Sequence, residues 1–153
     1  MLKLLLALEQ AKLLRFKGEY NACKTSMEQV LTGFKGAVGG SHPLTATASL
    51  ELGGVLKDLG ALEMSYALID KALNIRSSSL GEEHYLVADC LALLASTLRD
   101  QGKFLESKKI NEHALSIRRV AIGKYHAATA SSLTAIGINF YDLGLYASAE
   151  PMF

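Results

Sequence analysis

The amino-acid sequence predicts an all-α solenoid, a stack of antiparallel helix pairs, because its features recur every 42 residues. The spacing is marked by His42, His84 and His126, and by Gly60, Gly102 and Gly144. An ungapped alignment of residues 42–83 with residues 84–125 gives 13 identical positions, most of them apolar or glycine. Leucines within each repeat are three and four residues apart, as on one face of a helix. We therefore expect a function that lies in a surface rather than in one catalytic cleft.

Each repeat is expected to contain a helix A, a tight turn at the marker glycine, a helix B and a loop. Helix A begins after a histidine such as His42, and Pro43 fits its first turn because the missing N–H has no partner there. Helix A ends before a glycine such as Gly60, which adopts a left-handed conformation at low steric cost. The predicted A helices lie near 2–17, 43–59, 85–101 and 127–143. The predicted B helices lie near 20–35, 62–79 and 104–121, with a stub from 146 onward.

Two places depart from this regular pattern. Four glycines surround the end of the first helix B, and they predict that this helix frays early. These are Gly33, Gly36, Gly39 and Gly40. The sequence ends at Phe153, just inside a fourth helix B, whereas a solenoid normally closes with a polar cap. We therefore expect a fragment of a longer protein.

Length and composition predict a single domain over residues 1–153, with repeats at about 1–41, 42–83, 84–125 and a truncated 126–153. Half of the residues are hydrophobic, which is enough for a contiguous core. The net charge of +1 gives no electrostatic reason to expect nucleic acid or an anionic membrane as a partner. No stretch approaches the ~20 apolar residues of a membrane span.

The cysteines and the N-terminal segment together predict a cytoplasmic protein. Cys23 and Cys90 lie in different repeats without a CxxC pattern, so we expect two buried, reduced thiols. The apolar start of the chain is interrupted by Glu9 and Gln10, which is too soon for the core of a secretory signal. It is in register with the later A helices, and we expect it to be one of them.

We expect no catalytic site, no cofactor and no metal site. Histidines one repeat apart lie about one helix layer from each other, on the order of 8–10 Å, so two neighbours cannot share a zinc ion. A structural role at the start of a helix is the expectation for them, and a surface position for His113. Ser77, Ser78 and Ser79 lack a nucleophile motif, and Gly53-Gly54 lacks the context of a phosphate-binding loop.

Several short sequence segments indicate the type of repeat. The third repeat contains Leu98-Arg99-Asp100-Gln101-Gly102-Lys103-Phe104, and the second contains Lys71-Ala72-Leu73-Asn74-Ile75-Arg76. These strings resemble tetratricopeptide repeats (TPRs) of the 42-residue type found in kinesin light chains, and the resemblance covers essentially the whole chain. It implies a right-handed, TPR-like superhelix with small residues such as Gly53 and Ala95 where the helices pack closely.

The resemblance also departs from the kinesin light chains at one point. Those proteins usually carry paired asparagines on helix A, which grip a peptide backbone. The matching pairs here are Leu50-Glu51, Ala92-Leu93 and Thr134-Ala135. A generic relative is therefore a better expectation than a cargo-binding light chain.

The resemblance implies a protein–protein interaction module that binds a partner peptide or helix in a concave groove lined by helix A. When the groove positions of the family are carried over to this sequence one by one, the groove residues are Lys12, Arg15, Thr47, Leu50, Lys57, Asp58, Asp89, Ser96, Arg99, Asp100, Thr134, Ile138, Tyr141 and Asp142. Two interpretations of the charges remain open. They are solvated helix-end charges, some in exposed ion pairs worth ~0–1 kcal/mol, or they form a ladder that holds an acidic or mixed-charge extended peptide.

Two alternative functions follow from the same architecture. The chain is a scaffold or self-assembly segment, with further repeats stacking on both ends, or it is a regulatory arm of a larger multidomain enzyme or switch protein. Residues on either side of this sequence would separate these alternatives.

Overall fold

The computed structural model describes all residues from Met1 to Phe153 and contains helices and connecting turns but no strand. The helices are α1 (Leu2–Phe16), α2 (Tyr20–Val38), α3 (Pro43–Asp58), α4 (Leu62–Leu80), α5 (Tyr85–Asp100), α6 (Phe104–Ala121), α7 (Ala127–Asp142) and α8 (Tyr146–Ala149), with a final 3₁₀ turn at Glu150–Met152. The odd-numbered helices are the predicted A helices. Of these, α3, α5 and α7 begin where predicted and end one residue earlier. None of the helices is a candidate membrane span.

The chain forms two compact units, an N-terminal unit from Met1 to Ser79 and a C-terminal unit from Leu80 to Phe153. In the N-terminal unit, α1, α2 and α3 share a core that includes Leu8, Met27 and Phe34. Burial of a side chain of this size stabilises the fold by ~1.5–3 kcal/mol. In the C-terminal unit, Leu94 of α5 and Ile117 of α6 are buried in the same way. A single array over 1–153 stays a prediction.

The turns between helix A and helix B share one hydrogen-bonding pattern. Gly60 has a φ of +78°. Its N–H donates to the carbonyl of Lys57 at 2.9 Å, and the N–H of Ala61 donates to that of Leu56 at 2.8 Å. This is the Schellman motif, which satisfies the last carbonyls of a helix and places a left-handed residue at the first position beyond it. The same pattern and a positive φ occur at Gly18, Gly102 and Gly144. The predicted role of the marker glycines is confirmed.

The marker histidines begin the A helices. The imidazole Nδ1 of His84 accepts a hydrogen bond from the N–H of Leu86 at 3.1 Å, and this satisfies a donor that the first helical turn leaves unpaired. His42 and His126 make the same bond, also at 3.1 Å, to the residues two positions further on. The predicted helix-start role is therefore confirmed. His113 is exposed on α6, as predicted.

Helix B packs closely on the backbone of helix A. The hydroxyl of Ser65 donates to the carbonyl of Gly53 at 2.7 Å, and the thiol of Cys23 donates to that of Ala11 at 3.0 Å. A Cβ on Gly53 would lie 2.8 Å from a side-chain carbon of Ile69, so only a small residue fits there. Burial also raises the pKa of the Cys23 thiol. The prediction that both cysteines are buried thiols without a disulfide is confirmed.

The prediction that the first helix B frays early is wrong. Helix α2 continues to Val38, three residues beyond its predicted end. Tertiary packing overrides the low helix propensity of the glycines. Phe34 is fully buried, and Gly33 packs against the end of the Leu4 side chain of α1, which would have to shift to make room for a Cβ.

Two glycines of the N-terminal unit test this assignment with opposite signs. Gly60→Ala should lower the free energy of unfolding by about 1–2 kcal/mol, because alanine is strained at a φ of +78°. Gly36→Ala should raise it by about 0.5–1 kcal/mol, because Gly36 lies within α2 and a Cβ there has no neighbour within 4 Å. Urea denaturation followed by circular dichroism measures both. Equal effects of the two substitutions would contradict the assignment.

Candidate functional site

A concave surface of the N-terminal unit brings together several of the predicted groove residues. Its volume is about 440 Å³. We call it the N-terminal concavity, and it is lined by Lys12, Arg15, Phe16, Tyr20, Glu51 and Asp58. Three of these, Lys12, Arg15 and Asp58, were predicted from the sequence. The surface therefore combines cations, anions and aromatic rings.

The guanidinium of Arg15 is held in place by groups of helix α3. Its Nε donates to a carboxylate oxygen of Asp58 at 2.7 Å, and its Nη1 lies 3.8 Å from the carboxylate of Glu51. A Cβ on Gly54 would lie 2.7 Å from Nη1. The glycine thus leaves the space in which the guanidinium lies against α3. Nearby, the ammonium of Lys12 contacts Glu9 one turn earlier, at 2.9 Å.

A smaller pocket lies among α5, α6 and α7 of the C-terminal unit. Its volume is about 100 Å³. We call it the C-terminal pocket, and it is lined by Ala92, Ser96, Arg99, Ser107, Asn111, Ala135 and Ile138. Ser96, Arg99 and Ile138 are predicted groove residues, and all three come from A helices. The floor residues Ser107 and Asn111 come from helix B.

Arg99 and Asp142 form a two-bond ion pair at the edge of this pocket. The guanidinium Nε lies 2.5 Å from one carboxylate oxygen, and Nη2 lies 3.3 Å from the other. The hydrogen bond to Asp142 raises the pKa of Arg99. Arg15 and Asp58 are separated by the same 43 positions, so each arginine pairs with an aspartate of the following A helix. The ion-pair interpretation of these charges is supported for both arginines.

Asp89 is bound by a buried arginine that the sequence interpretation did not assign to the site. Arg118 is only 8% exposed, and its Nη2 donates to Asp89 at 2.8 Å. Its Nη1 donates to the carbonyl of Ala128 at 3.0 Å and to the hydroxyl of Ser132 at 2.8 Å. Arg118 therefore joins α5, α6 and α7. This gives Asp89 a structural partner within its own unit.

Thr47 and Thr134 direct their hydroxyls to their own helices. Thr47 donates to the carbonyl of Pro43 at 3.1 Å, and Thr134 donates to that of Ala130 at 3.2 Å. Thr47 also receives a long hydrogen bond, 3.4 Å, from Arg76. Neither threonine lines the N-terminal concavity or the C-terminal pocket.

The remaining predicted groove residues lie on A helices outside these two surfaces. Leu50 and Lys57 are half-buried on α3, and Asp100 is exposed at the end of α5. Tyr141 is exposed, and its ring meets the edge of Tyr146 with 5.2 Å between centroids. The structure thus collects about half of the predicted groove residues into defined concave surfaces.

Some residues of these surfaces were missed. Phe16 and Tyr20 lie at the turn after α1, where the sequence shows only an aromatic residue on either side of Lys17-Gly18-Glu19. Asn111 had a detectable signal, because the equivalent positions of the two preceding repeats carry Met27 and Ile69. A polar residue at a position that is otherwise apolar in the repeat is a departure that the internal alignment can find.

The sequence profile of the family described as Tetratricopeptide repeat matches residues 45–119 and 90–153, more than half of the chain. The chain belongs to this family. Comparison with curated protein sequences finds no match.

Solved structures agree on the fold. The nearly identical TPR-like repeats of a Podosopora anserina protein assigned as a kinesin light chain superpose with a TM-score of 0.87, at 18% identity, over 98% of this chain and 71% of that one. A variant of the same repeats with a single substitution gives a TM-score of 0.86 over the same shares of both chains. BtubC (BKLC) from P. vanneervenii gives 0.84, at 20% identity, over 94% of this chain and 57% of that chain.

These similarities confirm the predicted all-α, TPR-like fold and the resemblance to kinesin light chain-type repeats. At 18–20% identity, the solved structures show the fold alone. TPR repeats generally serve as protein–protein interaction modules and as non-enzymatic scaffolds.

Two arginines of the C-terminal unit should differ strongly in their structural role. Arg118→Met should lower the free energy of unfolding by roughly 2–3 kcal/mol, because it removes the hydrogen bonds of Arg118 to Asp89, the Ala128 carbonyl and the Ser132 hydroxyl. Arg99→Met should cost no more than about 1 kcal/mol, because its ion pair is exposed. Urea denaturation of both variants measures the difference, and similar costs would contradict the structural role of Arg118.

Proposed function

We propose that this chain binds extended segments of partner proteins through side chains that its A helices present at two surfaces, the N-terminal concavity in one unit and the C-terminal pocket in the other. The observation that carries the proposal is that Arg15 and Arg99 each lie at a concave surface with a guanidinium fixed by an aspartate. An arginine carries five N–H donors, and the ion pairs use only part of them. The remaining donors are available to carboxylates or carbonyls of a bound peptide.

The composition of the N-terminal concavity favours a mixed-charge partner over a strongly acidic one. Lys12 and Arg15 contribute two positive charges, and Glu51 and Asp58 contribute two negative charges. Phe16 is 92% exposed beside them and offers an apolar contact. A segment that alternates acidic, basic and apolar side chains would match this surface. The balanced charge supports a protein segment rather than nucleic acid as the partner.

The buried thiols support a reducing compartment, and we propose that the protein is cytoplasmic. Cys23 and Cys90 are both buried and form no disulfide, and Cys23 uses its S–H as a donor inside the core. Cysteines of proteins from oxidising compartments usually form disulfides. We assign no catalytic step to this chain, since both concave surfaces fit a role in recognition.

A selection from a peptide library tests the binding function. A randomised nonapeptide library displayed on phage is enriched on the immobilised chain, and affinities of the recovered peptides are measured by fluorescence anisotropy. Arg99→Glu should weaken their binding at least ~10-fold, equivalent to about 1.4 kcal/mol. Lys109→Glu, which reverses an exposed charge on helix B α6, is the matched control and should leave the affinity unchanged.

A charge swap separates binding from structure. Arg99→Asp combined with Asp142→Arg keeps an ion pair but moves the guanidinium to α7. If the swapped protein binds the peptide with full affinity, the ion pair has only a structural role, and the proposal that Arg99 binds the peptide is wrong. A library without any enriched peptide would contradict the proposed function as a whole.

The outer face of α1 favours a second candidate, a scaffold that stacks on further repeats. Leu2, Leu6, Leu13 and Phe16 are all more than half exposed and lie along one side of the helix. An apolar stripe of this kind is usually covered by another helix. Sedimentation velocity of the isolated chain should show self-association that Leu6→Glu with Leu13→Glu abolishes. A monomer at all concentrations would argue against this candidate.

A further inference from the structure

The third helix B carries a polar residue at a position that is apolar in the two repeats before it. Met27, Ile69 and Asn111 are 42 residues apart. All three are buried, with Asn111 only 4% exposed. In the second repeat, Ile69 fills the space against Gly53 of its partner helix. Asn111 instead forms part of the floor of the C-terminal pocket. The pocket therefore coincides with a change of side chain that is specific to this repeat.

Asn111 belongs to a chain of buried hydrogen bonds. Its Nδ2 donates to Oδ1 of Asn139 at 2.7 Å, and Nδ2 of Asn139 donates to the hydroxyl of Ser107 at 2.8 Å. This uses one N–H of Asn111. The carboxamide oxygen and the second N–H of Asn111 have no protein partner, and the side chain that carries them lines the C-terminal pocket. Because the side chain is almost entirely buried and this edge of the carboxamide is open to the pocket, a polar group that enters the pocket can satisfy it.

The walls of the pocket limit the size of that ligand. Ala92 and Ala135 are small, and Ile138 supplies an apolar wall. The volume of about 100 Å³ is smaller than the ~150 Å³ cavity that takes up benzene. A side chain of two to four heavy atoms fits, whereas an aromatic ring does not.

We propose that the C-terminal pocket binds a short, neutral, hydrogen-bonding side chain of the partner segment: threonine, serine or asparagine. The hydroxyl or amide N–H of the ligand side chain donates a hydrogen bond to the unpaired oxygen of Asn111. The oxygen of the ligand side chain accepts a hydrogen bond from the second N–H of Asn111. A threonine methyl also contacts Ile138. This inference rests on the proposed function, because it needs a peptide in the groove to deliver the side chain.

We expect the C-terminal pocket to bind an apolar isostere of these side chains more weakly. Valine has the shape of threonine, but it buries the Asn111 oxygen without a donor, and this should weaken binding roughly 5- to 150-fold. The pocket should therefore distinguish threonine from valine at one peptide position only.

The test uses the peptide selected on the wild-type chain, with threonine and valine placed at each position in turn. Binding is measured by fluorescence anisotropy. One position should show at least 5-fold preference for threonine over valine. The double variant Asn111→Ile with Asn139→Thr, which restores the residues of the preceding repeat, should abolish the preference. Ala135→Leu, which fills the pocket without changing the hydrogen-bonded chain, should do the same.

Circular dichroism and a thermal melt show that both variants remain folded before binding is compared. Equal affinities for threonine and valine at every position overturn the inference, as does a preference that persists in both variants. If the selected peptides depend on Arg99 but show no such preference, only this inference fails and the proposed function stands. If no peptide is enriched, or the enriched peptides ignore Arg99→Glu, the proposed function fails, and the inference fails with it.

Discussion

The fold depends on the tight turn that follows each A helix. A glycine in the left-handed conformation, such as Gly60 with its φ of +78°, closes helix A and lets the chain reverse within three residues. The reversal brings helix B onto the backbone of helix A, where Ser65 hydrogen-bonds directly to a main-chain carbonyl. Contacts this close require small residues on helix A, so the turn also determines which side chains the helix interface tolerates.

Because the same turn recurs in each repeat, the residues needed for folding can be told apart from the residues that vary. One groove-side position of the A helices is occupied, repeat by repeat, by Lys12, Gly54, Ser96 and Ile138. Each of these helices ends in the same glycine turn, whereas the side chain at this position changes from a cation to none, a hydroxyl and an alkyl chain. The turn glycines and capping histidines recur because each repeat needs them to fold. The residues that differ between repeats are not needed for these contacts, and the proposed ligand site uses one of them, the buried Asn111.

The helices could be predicted closely from the sequence, because their start and stop signals are local. His42 and Gly60 act through hydrogen bonds within two or three residues. The end of α2 was missed because it depends on the contact between Gly33 and Leu4, which are distant in the sequence. Similarly, the 42-residue spacing indicated which positions face the groove. It did not indicate that an arginine pairs with the aspartate 43 positions later, since that offset depends on how neighbouring A helices are staggered.

The arginines of the C-terminal unit show why charge alone does not locate a binding surface. Arg118 lies on helix B with its side chain buried in the protein, where three partners on neighbouring helices accept hydrogen bonds from its two terminal nitrogens. Arg99 lies on helix A, and its single partner, Asp142, leaves part of the guanidinium exposed at a pocket. The two residues are alike in the sequence and opposite in their surroundings. In the proposed function, recognition depends on donors that are both unpaired and open to a concave surface, such as those of the Arg99 guanidinium and the Asn111 carboxamide.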